Sequence, residues 1–123
     1  MTSEEFVTRI RKAVYEPAVE GSLSLLRKPP GRRPSQALLG LSKWFNGLST
    51  DDRLCVRRLI ELSAGRAVFG MLAVLDGVRS IREAGEESGT LELHYCTEGR
   101  LVLLNDPAGE FLHDLFAEQV PPA

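Results

Sequence analysis

Apolar residues recur at helical spacing from the start of the chain. Phe6, Ile10, Ala13 and Val14 share one face of a helix predicted over Thr2–Tyr15, and Thr2 and Glu5 have capping-box spacing. Pro17 breaks that pattern, so a second, shorter helix is expected from Pro17 to Arg27, with Val19, Leu23 and Leu26 inward. Lys28-Pro29-Pro30-Gly31-Arg32-Arg33-Pro34 cannot continue a helix and predicts a loop. Ser35 is a suitable N-cap for a helix to about Phe45, with Leu38, Leu41 and Phe45 on one side and Trp44 at its border. Asn46-Gly47 stops it, and Ser49-Thr50-Asp51-Asp52 opens the next. That helix, Asp51–Ser63, is expected to turn Cys55, Val56, Leu59 and Ile60 inward, with Arg57 and Glu61 as an exposed i,i+4 pair.

The segment from Ala64 to Glu83 is apolar on all sides between Ala67 and Leu75, which predicts a central helix surrounded by the others. Ala73, Gly77, Ser80 and Ala84, with Gly70 one turn back, form a seam of small residues. Helix packing explains such a seam, and a closely approaching ligand is the alternative. Leu91, Leu93 and Tyr95 alternate with Glu92, His94 and Cys96, as in a half-buried strand. Thr97-Glu98-Gly99-Arg100 suits a hairpin turn, and Leu101–Leu104 returns as the second strand. Asp106 and Pro107 have the chemistry of a helix start, and Phe111, Leu112, Leu115, Phe116 and Val120 give the last helix its stripe. The expected architecture is a mostly helical α+β fold. Five or six helices surround the 64–83 helix, with a C-terminal β-hairpin over 91–104 and a final helix.

Composition narrows the class. The 123 residues predict a single domain over 1–123, and 43% hydrophobic with 26% charged residues is a globular balance. The longest uncharged run, Ala67–Leu75, is about half of what a membrane span needs. The start, MTSEEFVTRIRK, has no apolar signal core, which predicts a cytoplasmic protein. Cys55 and Cys96 are then expected as reduced thiols, with Cys55 a small core residue.

The net charge of −2 hides an asymmetry: residues 1–66 are basic and residues 67–123 acidic. Attraction between two halves of one fold explains it. Nucleic-acid binding is disfavoured, because no aromatic residues are interleaved with the basic ones. Arg27, Lys28, Arg32 and Arg33 cluster in and beside the proline-rich loop. They are the candidate anion contact, against the simpler reading of a solvated linker.

Asp76 stands out because it follows a nine-residue apolar run. A buried carboxylate needs a partner, and Arg79, three residues on, has the spacing of one. The pair is either a structural anchor or the polar part of a ligand pocket, with Gly70, Gly77 and Trp44 as further lining. His94, Cys96 and His113 lack a recurring zinc spacing and are expected to be ordinary half-exposed residues. No nucleotide-phosphate loop, nucleophile elbow or zinc-protease motif occurs, so no catalytic residue, metal or cofactor is assigned.

The stretches WFNGLSTDDR, AVFGMLAVLDGVR and LVLLNDPAGEFLHDLF resemble a group of small bacterial proteins of unknown function. The resemblance implies a bacterial, single-domain protein and brings no catalytic residues. The functional expectation is a non-enzymatic protein-interaction or regulatory module, immunity-like in kind. Its partner would be another protein or a second copy, since the open edges of a hairpin invite pairing. A small-molecule pocket or small enzyme site near Asp76 and Arg79 is the alternative.

Overall fold

The computed structural model describes all of residues 1–123. The first helical stretch is one continuous rod: α1 (Ser3–Ile10), a π-helical turn (Arg11–Tyr15) and α2 (Glu16–Arg27). The capping box forms as expected, with the Glu5 N–H donating to Thr2 Oγ1 and the Thr2 N–H to Glu5 Oε2. Pro17 does not break the rod. The Glu16 N–H reaches back five residues to Arg11 O, and this widened turn accommodates the proline ring, which would collide with a carbonyl in a regular α-helix.

The proline-rich connection leads to α3 (Gln36–Asn46), which Ser35 caps through the Leu38 N–H. Asn46 then ties the two helix ends together, since its amide donates to Arg27 O at 3.1 Å. Ser49 caps α4 (Thr50–Leu75). Here the structure departs most from the sequence pattern. The two helices expected at 51–63 and 64–83 are one helix of 26 residues that stops at Leu75. Nothing between Ser63 and Ala64 breaks a helix, whereas Gly77 does. It takes φ +78°, and the Gly77 and Val78 N–H groups fold back onto Val74 O and Ala73 O. Val78 and Ile81 lie exposed beyond that stop.

A long connection leads to the antiparallel hairpin of β1 (His94–Thr97) and β2 (Arg100–Leu103), paired His94 to Leu103 and Thr97 to Arg100. Gly99 makes the turn at φ +71°, as its position predicts. The last helix, α5 (Leu112–Ala117), is shorter than expected. Asp106 caps only a local turn, through the Ala108 N–H. Counting the first rod once, there are four helices rather than five or six, and the α+β, mostly helical character holds.

The core lies where the first rod, α3, α4 and α5 meet. Val7, Tyr15, Val19, Leu23, Phe45, Leu72, Leu112, Leu115 and Phe116 form it, with Tyr15 edge-on to Phe116 at 5.9 Å. It is a small core, with only 14 of 123 residues buried. Cys55 and Leu59, expected inside, are exposed, and so are Leu41 and Trp44. No helix is long and apolar enough to cross a membrane.

Candidate functional site

The end of α4 holds a buried carboxylate with both oxygens bonded. Asp76 caps α4, and its side chain, only 2% exposed, turns to the start of α5. The Leu112 and His113 N–H groups donate to its two oxygens at 3.1 and 2.9 Å. His113 Nδ1 lies 2.6 Å from Oδ2. The carboxylate thus caps a helix that has no side-chain cap of its own, from a distance of more than thirty residues.

The imidazole is packed as firmly as it is bonded. Phe111 stacks on it at 5.3 Å, and Phe69 of α4 meets it edge-on at 5.1 Å. Its Nε2 faces Asp114 Oδ1 at 3.4 Å. An aspartate that orients a histidine is half of a nucleophile-activating triad. The far nitrogen here meets a carboxylate rather than a hydroxyl or thiol, so the ring has no proton to take from a nucleophile. His113 is therefore not the half-exposed residue expected, and Asp76 does not pair with Arg79.

Arg79 instead lays its guanidinium over Gly70, filling the space a Cβ would occupy. That close approach is the reason for a glycine on this face of α4, and it comes from the chain itself. Asp76, Gly77 and Arg79 do line one open cleft of about 430 Å³, with Arg82, Glu86 and Asn105 among the other walls. Trp44 lies on α3, outside that cleft, and is 54% exposed. Asp76 offers the cleft little, because both its oxygens are already bonded.

Asn105 is a second buried polar anchor, and the sequence pattern did not single it out. Its amide donates to Leu75 O at 2.6 Å and Leu91 O at 2.9 Å, and its oxygen accepts from the Leu93 N–H at 2.8 Å. One side chain so joins the end of α4 to the hairpin. An asparagine directly after the apolar run Leu101–Leu104 was the only signal available.

The other candidates stay apart. Arg27, Lys28, Arg32 and Arg33 are exposed on the α2–α3 connection and make no ion pair within the chain. His94 pairs with Glu92 at 3.0 Å, Cys96 is exposed, and His113 belongs to Asp76, so the three do not converge. The expected Arg57–Glu61 pair forms at 3.3 Å, and Arg57 also reaches Glu20 on α2 at 2.5 Å. The Arg57 hydrogen bond holds the Glu20 carboxyl below the ordinary glutamate range.

The largest unexplained feature is the outward side of α4. Leu59 is 62% exposed, and Cys55 and Leu62 are exposed on the same stripe, whereas the exposed Leu54 and Met71 project from other sides of the helix. The water-facing side of the helix sets this short apolar stripe among Asp51, Asp52, Arg58 and Arg66. Compared with known proteins, the chain significantly matches no family model, no curated protein and no solved structure.

Proposed function

We propose that the chain is a non-enzymatic protein-interaction module, regulatory or immunity-like in kind, whose contact surface is the outward side of α4. One observation carries the reading. A compact monomer of 13.6 kDa is expected to expose about 6,600 Å², whereas this chain exposes 8941 Å², roughly a third more. On α4, Cys55, Leu59 and Leu62 lie exposed on one stripe, and grouped apolar exposure of this kind is a mark of an interaction site. The polar constellation at Asp76 supports the same reading, because its hydrogen-bonding capacity is spent on joining α4 to α5.

Site-specific photo-crosslinking tests this. A benzoyl-phenylalanine placed at Leu59 or Leu62 is expected to yield covalent protein adducts in the living host, whereas the same probe at exposed Glu110 yields none. Equal absence of adducts from all three positions would overturn the reading.

A further inference from the structure

We infer that the occupant of this face is a second copy of the chain, bound α4 against α4, antiparallel about a two-fold axis at Leu59. The inference rests on the interaction reading and adds the partner to it. Asp52, Cys55, Leu59, Leu62 and Arg66 follow one another at alternating spacings of three and four along α4. That is the spacing of a helix-pairing seam. All five are exposed, and Leu59 sits at the middle of the seam.

The charges on the seam fix the direction. Asp52 and Arg66 each lie seven residues from Leu59, about 10 Å along the helix axis to either side. Neither takes part in an ion pair within the chain. In an antiparallel pair centred on Leu59, residues equidistant from it face each other. Asp52 then meets the partner's Arg66, and Arg66 meets the partner's Asp52. A parallel pair would set like charges opposite each other at both ends. The same operation places Leu59 on its own copy, Cys55 against the partner's Ser63, and Leu62 against the partner's Val56, which is half-buried on its own core. Such an interface is isologous, the commonest form of soluble homodimer.

Sedimentation equilibrium of the purified chain is expected to give twice its 13.6 kDa mass at micromolar concentration. Leu59→Glu should leave the helical circular dichroism unchanged and give a monomer. Asp52→Arg and Arg66→Asp should each weaken the dimer by about tenfold or more, and the two together should recover it to within about threefold. In a Cys96→Ser background, Ser63→Cys should be trapped by mild oxidation as a covalent dimer through Cys55, and Ala67→Cys should not. A monomer at all concentrations, or charge reversals without mutual rescue, would overturn the inference. If the chain is monomeric alone yet crosslinks from position 59 to a different protein, the dimer falls and the interaction reading stands.

Discussion

At the residue scale, Asp76 and Asn105 show how a small core is held with few polar groups. Asp76 takes two N–H groups at the start of α5, Asn105 joins the end of α4 to the flank of the hairpin, and no buried side-chain polar atom in the molecule is left without a partner. Their removal strands those groups. Asp76→Ala leaves two α5 N–H groups and the His113 ring unpartnered, and is expected to cost about 3 kcal/mol in urea unfolding. Arg79→Ala removes an exposed side chain that bonds to no carboxylate and should cost less than about 0.5 kcal/mol. Equal losses for the two variants would contradict the Asp76–His113 pairing. The need for a partner was legible from the sequence, because a carboxylate after nine apolar residues has to be satisfied. Its identity was not. Local spacing favours Arg79, but the helix ends at Leu75, so the i,i+3 geometry that would bring Arg79 to Asp76 does not exist.

At the element scale, local chemistry located most helix starts and turns. Thr2, Ser35 and Ser49 cap as their neighbours predict, and Gly99 makes the hairpin turn. The errors share one physical origin: hydrophobic period and turn residues do not reveal what happens between elements. Pro17 follows a π-turn within one rod, α4 runs unbroken past Ser63, and α5 takes its cap from Asp76 rather than from Asp106. Two glycines on either side of the α4 terminus separate two roles that the sequence seam had merged. Gly77 is there for its backbone, so Gly77→Ala forces a positive φ on alanine and is expected to destabilise by about 1–2 kcal/mol. Gly70 only makes room for the flexible end of Arg79. Gly70→Ala should displace that guanidinium and gain about 0.5 kcal/mol or more from helix propensity, and thermal unfolding of the two variants reads the opposite signs directly. A destabilised Gly70→Ala would mean that the Arg79 packing is rigid.

At the scale of the whole molecule, the fold is economical inside and generous outside. Its core draws on the first rod, α3, α4 and α5, while α4 keeps Cys55, Leu59 and Leu62 in water. The sequence signalled this only indirectly. The 51–63 stretch has apolar residues on more than one face, and a single-chain reading turns Cys55 and Leu59 inward because burial is the default for such residues. The separated charge is used more locally than the sequence halves suggest. Arg57 joins α2 to α4 through Glu20, and the basic residues of the proline-rich connection stay unpaired. In the working protein the Leu59 stripe of α4 is expected to be covered. Hydroxyl-radical footprinting in the living host tests it by comparing Leu59 with Leu101, leucines that are 62% and 65% exposed in the isolated chain. Leu101 is expected to be labelled and Leu59 to be protected. Labelling of Leu59 to the same extent as Leu101 would contradict it.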